Sequence, residues 1–120
     1  MYSFPSDEWM NQLCKLCNQD KMFGELSQWF HGGICLNVGE KSCDFTYSNG
    51  LLSVGPSDEG QKIIISGPTE VWDKIRKGQP GGIHRAFRHQ TLKFSGDMVE
   101  VMRNWKVIWR LGEVIQCVDK

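Results

Sequence analysis

The sequence predicts an α+β or mixed α/β sandwich with helices concentrated on one face. Three observations carry that class. Apolar residues recur every three or four positions near both ends of the chain, the period changes to two between Gly33 and Gly67, and turn residues sit where the period changes. A chain of 120 residues matches one domain, 1–120. At that size folding buries roughly two-thirds of the surface an unfolded chain exposes, enough for one core.

Ser6 is placed to cap the first helix, because its hydroxyl can accept from an orphan amide while Asp7 and Glu8 favour the positive helix end. Trp9, Met10, Leu13, Leu16 and Cys17 then repeat at helical spacing. Met22, Phe23, Leu26, Trp29 and Phe30 resume the pattern after Asn18-Gln19-Asp20, so two helical pieces are expected, ending at His31-Gly32-Gly33. The runs GICLNV, SCDFTYSNGLLSV and QKIIISG read as strands of an antiparallel meander, with Asn49-Gly50 as a hairpin turn. Ile63-Ile64-Ile65 suits a central strand covered on both faces, or one buried beside a crossover.

Pro68 fits the first position of another helix, whose buried face is Val71, Trp72 and Ile75 and whose end is Gly78. After the loop QPGG comes a short basic helix, Ile83 to His89, and then the last strand, TLKFSG. Asp97 and Glu100 have the spacing of a capping box for a final helix. Met98, Met102, Trp105, Ile108, Trp109 and Leu111 form its broad apolar stripe, with Gly112 placed to interrupt it before Val114.

Composition is that of a globular domain, 40% hydrophobic and 23% charged with five tryptophans. No run reaches the about 18 apolar residues of a membrane span, and MYSFPSDEWM lacks the basic flank and apolar centre of a signal peptide, so a cytoplasmic protein is expected. The ending CVDK is neither a prenylation box nor a peroxisomal tripeptide. Five cysteines without an export signal read as reduced thiols. The formal net charge of zero hides an asymmetry: residues 1–73 carry ten acids against four Lys or Arg, and residues 74–120 carry ten Lys or Arg against four acids. Lys74 to Lys93 holds six of those cations and no acid, a block that can attract phosphate or an anionic membrane.

Motifs for chemistry are weak. Cys14-x-x-Cys17 lacks the second ligand pair that a structural zinc site needs, and His84 and His89 stand on a basic stretch that opposes a cation, so no metal is expected. Cys35, Cys43 and Cys117 with His31, His84 or His89 are the candidates for a nucleophile and its base. The strand positions of Cys35 and Cys43 favour inert buried thiols. Asp97 is better explained as a cap than as a catalytic acid, and no catalytic residue is assigned. GQPGG lacks the Lys and Ser/Thr of a phosphate-binding loop. Only Phe87 and Phe94 interleave with the basic run, which argues against nucleic acid. What remains is apolar excess. Trp105 and Trp109 can each bury about 150–250 Å², and with Met98 and Met102 they suit either a core or the adaptable wall of a ligand cavity.

The segment ISGPTEVWDKIRKGQPGGIHRAFRHQTLKFSGDMVEVMRNW carries a family signature. A strand ends in a small turn, a helix bears a Trp and closes at Gly, a short helix follows, and a strand of the lk.sGD kind leads into a helix. With Gly67, Trp72, Gly78, Leu92, Lys93, Gly96 and Asp97 at the matching positions, it resembles the sterol carrier protein type-2 family, the nonspecific lipid-transfer domain. The first half, with its amphipathic helix, meander and SNGLLSV, agrees in order and spacing, so the resemblance covers nearly the whole chain.

The resemblance implies a five-stranded mixed sheet with helices on one face, enclosing an apolar tunnel for fatty acids, acyl-CoA esters, sterols or phospholipids. On that basis Trp72, Ile83, Phe87, Phe94, Met98, Met102, Trp105 and Trp109 are the expected ligand-binding residues, with Arg85 and Arg88 for an anionic head group. No cofactor is implied. The expected partners are a lipid-like small molecule, an anionic membrane surface or acyl-CoA, and a partner enzyme. Two other readings stay open: an enzyme that uses the same cavity on a hydrophobic substrate, and an accessory subunit whose tunnel is closed by its tryptophans.

Overall fold

The computed structural model describes residues 4–28, 30–48, 50–56, 61–78 and 82–118. Trp29, Asn49 and the Gln79-Pro80-Gly81 part of the expected loop lie outside the described residues. Along the chain run α1 (Asp7–Gln19), α2 (Lys21–Leu26), β1 (Gly32–Val38), β2 (Lys41–Ser48), β3 (Leu51–Val54) and β4 (Gln61–Gly67). After these come α3 (Thr69–Arg76), α4 (Gly82–Arg88), β5 (Lys93–Gly96), α5 (Met98–Arg103) and α6 (Trp105–Ile115). The five strands form one sheet in the order β3-β2-β1-β4-β5, antiparallel except for the parallel pair β1–β4. The fold is therefore of the α+β class with the five-stranded mixed sheet that the family resemblance implies, whereas the antiparallel meander read from the strand runs holds only for β1-β2-β3, because β4 returns on the other side of β1 and runs parallel to it.

Register explains the core. Phe45, Ile34 and Ile63 form one cross-strand row, and Cys43, Leu36, Ile65 and Phe94 form the next. Ile63 and Ile65 are buried and Ile64 is only half-buried. The isoleucine run lies on an interior strand, between β1 and β5, that is covered fully on one face and only partly on the other. Against this face pack Trp9, Leu13, Phe23, Trp72, Ile75, Ile108 and Leu111, all buried in one cluster.

Local signals in the sequence fix the helix ends. Ser6 Oγ accepts from Trp9 N at 3.1 Å, and Asp20 Oδ2 accepts from Phe23 N at 2.8 Å to start α2. The helix α2 stops at Leu26, earlier than its apolar spacing suggests. The reason lies at Ser27, whose hydroxyl donates to the Phe23 carbonyl and whose oxygen lies 2.6 Å from Tyr47 Oη in the buried interior. Pro68 caps α3 from just outside the helix, one position before the expected one.

The final helix differs most from expectation. Asn104, buried, donates from Nδ2 to the Glu100 carbonyl and to Glu100 Oε2, and the chain breaks there into α5 and α6. Its side chain shares the Glu100 carbonyl with its own backbone amide, which also donates there at 2.9 Å. Asp97 does cap α5 by accepting from Glu100 N at 3.2 Å, but the box is one-sided. The amide of Asp97 already donates to the Lys62 carbonyl of the sheet, so Glu100 turns inward to Asn104 and Arg103. Gly112 does not interrupt α6; it lies inside it, where an added Cβ would stand 3.1 Å from Ile83 Cδ1. That close approach seats α4 on α6.

Candidate functional site

The feature that brings together the largest group of the expected residues is a set of rings where α4, β5 and α6 meet. Phe87 of α4, Phe94 of β5 and Trp105 of α6 touch pairwise, with centroids 5.0 Å apart for Phe87–Phe94, 5.2 Å for Phe87–Trp105 and 5.5 Å for Phe94–Trp105. Phe94 reaches this cluster because the register that places it beside Ile65 turns it to the helical side of the sheet. Phe87 is 43% exposed and Trp105 is half-buried, so the cluster opens to solvent on one side.

His84 extends the set. Its imidazole stacks on Trp109 at 4.9 Å with an interplanar angle of 8° and meets Trp105 edge-on at 6.0 Å. In the sequence His84 stood out only as a base or metal ligand. The signal that could have found this role is its spacing, three before Phe87 on a helix, which puts both side chains on one face.

Two of the expected residues are buried in the core. Ile83 is buried against Gly112, and Trp72 is fully buried with Nε1 donating to the Asn37 carbonyl at 2.9 Å. That bond ties α3 to β1. Met98 and Met102 face outward on α5, 47% and 72% exposed, and Trp109 is exposed while bordering a shallow cleft of about 340 Å³ with Met22, Leu26 and Lys106. The structure thus joins Phe87, Phe94 and Trp105 through ring contacts and Trp109 to them through His84, buries Ile83 and Trp72 in the core, and leaves Met98 and Met102 exposed.

The two arginines separate. Arg85 lines a cleft of about 230 Å³ between α3 and α4 with Val71, Lys74, Ala86, His89 and Thr91, a small basic hollow. Arg88 is exposed near the end of α4 and does not line that hollow.

Four of the five thiols, those of Cys14, Cys17, Cys35 and Cys43, are poor nucleophiles, and Cys117 is exposed. Burial pushes both Cys14 and Cys35 up to about 11. Cys17 and Cys43 are raised as well, chiefly by burial and then by neighbouring negative charge. Four protonated cysteines at neutral pH fit packing, and among the described residues no hydrogen bond links any cysteine to a histidine. Among the described residues no three His, Cys, Asp or Glu side chains come together as a metal-binding group. No described helix is long and apolar enough to cross a membrane.

Comparison with known proteins gives a consistent result. The family model of the SCP-2 sterol transfer family matches residues 10–108. A crystal structure of sterol carrier protein 2 superposes with a TM-score of 0.78 at 12% identity, covering 95% of this chain and 98% of that one. A conserved hypothetical protein of Thermus thermophilus gives 0.75 at 12% identity, covering 97% and 90%. A ubiquinone synthesis protein, UbiJ-SCP2, gives 0.57 at 17% identity, covering 86% and 88%. No curated protein matches the sequence.

Proposed function

The chain belongs to the SCP-2 sterol transfer family, and from that premise we propose that it binds and transfers an apolar ligand: a fatty acid, an acyl-CoA ester, a sterol or a similar lipid. The observation that carries the reading is the half-open ring cluster Phe87–Phe94–Trp105 over the core. In this reading the three rings are the mouth of an internal cavity, Ile83 and Trp72 are the wall behind it, and Met98, Met102 and Trp109 border it from outside. Ring pairs of this kind hold by edge and tilt contacts worth about 0.5–1.5 kcal/mol each, weak enough to be exchanged for contacts with a ligand. Each ligand methylene buried contributes about 0.8 kcal/mol, so a long acyl chain supplies a gross gain on the order of 10 kcal/mol against the cost of association.

An anionic head would sit at the basic end of α4. Arg85 in its hollow with Lys74, and Arg88 exposed outside that hollow three residues further along α4, offer the planar forks that bond carboxylate or phosphate oxygens in pairs. The chemistry required of the protein is binding alone, so the reading needs no cofactor.

A second reading is favoured by the full burial of Trp72 and Ile83. With the space behind the rings filled, the domain would act as an accessory subunit to a partner enzyme; one similar structure is a ubiquinone synthesis protein. Native mass spectrometry of the purified protein, followed by titration with a fatty acid, its CoA ester and a neutral sterol, separates the two. A co-purified lipid or saturable binding supports the carrier. A protein that carries no lipid and binds none of the three sinks the carrier reading and leaves the filled domain.

A further inference from the structure

Five of the large hydrophobic side chains exposed on the described surface fall within residues 87–109: Phe87, Met98, Val99, Met102 and Trp109. Three of them belong to α5. Met98 and Met102 are one helical turn apart, Val99 is three before Met102, and they are 47%, 72% and 65% exposed. Core packing does not explain them, because the opposite side of α5 holds its buried residues, Glu100 and Val101. Across the break at Asn104, Lys106 follows in the first turn of α6 and lines the cleft that Trp109 and Met22 border. Met22, at the far side of that cleft, is 51% exposed.

The charge around this surface selects its occupant. Between residues 74 and 112 the sequence has nine Lys or Arg and two acids, Asp97 and Glu100. Asp97 is engaged as the α5 cap, and Glu100 is buried on Asn104 and Arg103. Arg103, Lys106 and Arg88 are exposed at or near the apolar positions. Glu113 on the next turn of α6 is paired with Arg110. A second copy of this chain fits poorly, since an isologous contact would bring the same cations against one another. A surface that is negatively charged outside and apolar within meets both features.

We propose that the outer face of α5 and the adjoining face of α6 dock the protein on an anionic phospholipid bilayer, with Met98, Val99 and Met102 entering the headgroup boundary and Arg103 and Lys106 against lipid phosphates. The inference rests on the lipid-carrier reading for its purpose: it brings the ring cluster, whose Trp105 lies three residues past Met102, to the membrane from which a ligand would be taken. It does not rest on that reading for its chemistry.

Co-sedimentation with vesicles of phosphatidylcholine alone and of phosphatidylcholine with phosphatidylserine tests it, at low and raised salt. Wild type should pellet with the anionic vesicles, less so as salt screens the cations. Replacing all three residues, Met98→Gln, Val99→Gln and Met102→Gln, should weaken binding by about tenfold or more with the thermal midpoint retained. Lys106→Gln should weaken it about fivefold. If the triple variant fails to fold, Met102→Gln alone, at the most exposed of the three positions, gives the same sign. Absence of vesicle binding by wild type overturns the inference, as does binding that none of these substitutions or salt alters. A dimer in analytical ultracentrifugation that the triple variant abolishes also overturns it, assigning the face to a second copy. Fatty-acid titration of wild type without vesicles keeps the two ideas apart. Ligand binding without vesicle binding removes this inference alone, and vesicle binding without ligand binding removes the carrier reading and leaves this one.

Discussion

Replacing Phe87 with Ala separates a ligand mouth from ordinary packing, because the structure gives each role its own magnitude. The ring is 43% exposed. Full burial of a Phe side chain contributes about 1.5–3 kcal/mol, so the part already covered is worth about 1–2 kcal/mol. Its two ring contacts, with Phe94 and Trp105, add about 1 kcal/mol or more. A loss of about 2–3 kcal/mol in urea-unfolding stability is therefore expected whatever the ring does for ligands. The uncovered part is what a ligand in the mouth would cover. That area is worth about 1 kcal/mol, or about fivefold in affinity. Stopped-flow release of a fluorescent fatty acid should show the difference as faster dissociation from Phe87→Ala, since changes within one interface fall mainly on the off-rate. If stability drops as calculated while the dissociation rate of a bound fatty acid stays at the wild-type value, the rings are packing and the mouth lies elsewhere.

Two further outcomes concern the frame that holds the rings. Gly96 has φ +89°, and an added Cβ would collide with the Lys62 carbonyl that pairs β5 to the neighbouring strand and accepts from Asp97 N; Gly96→Ala should cost about 2 kcal/mol in chemical denaturation, and an unchanged midpoint would refute the steric argument. Asp20 joins α2 to α6 by accepting from Arg110 at 2.7 and 2.8 Å, and chiefly that bond holds its carboxyl below the ordinary value of 3.8. Because the folded value is depressed, the stabilisation is present above the unfolded value and is lost as pH falls through the folded one. Asp20→Asn should therefore be about 1–2 kcal/mol less stable than wild type at neutral pH, with the gap closing as the solution is acidified below the carboxylate range. A gap that persists at low pH would show that the loss is steric.

How much could be read from the chain depended on whether a residue's neighbour was close in sequence. The order of elements, the caps at Ser6 and Asp97, and the strand runs from Gly33 to Gly67 are local signals, and all appear in the fold. The end of α2 and the break at Asn104 were not legible, because each is set by a side chain whose decisive partner is fixed only in three dimensions. Ser27 stops α2 in contact with Tyr47, 20 residues away. Asn104 looks like any polar residue in a helix until Glu100 is turned inward, and Glu100 is turned inward because the sheet has taken the amide of Asp97. The same holds at the candidate site. Helical spacing grouped Met98, Met102, Trp105 and Trp109 as one stripe, but it carried no information on which of them α4 and β5 would cover. Phe94 and Phe87 cover Trp105, His84 covers one face of Trp109, and nothing in the described structure covers Met102 to the same degree.

That division bears on why a stretch of this length carries so much apolar surface. In α6 the excess goes inward: Val107, Ile108, Leu111, Val114 and Ile115 are all buried in the core, where α6 packs on α1, α2, α3 and α4. In α5 only Val101 among the apolar side chains is buried. A single uninterrupted helix would have carried one stripe along one line. The break at Asn104 lets the two helices orient separately, so that α6 can commit its apolar face to the core while α5 holds three apolar side chains in solvent. Holding them there has no packing benefit, and an exposed apolar face ringed by cations is a marker of an interaction surface. Asn104 is therefore the residue on which both assignments depend. Replacing it with Leu, which keeps helical propensity and removes the bonds to Glu100, should let α5 and α6 run together. If the α5 face serves a membrane, that protein should keep its ring cluster but lose vesicle binding.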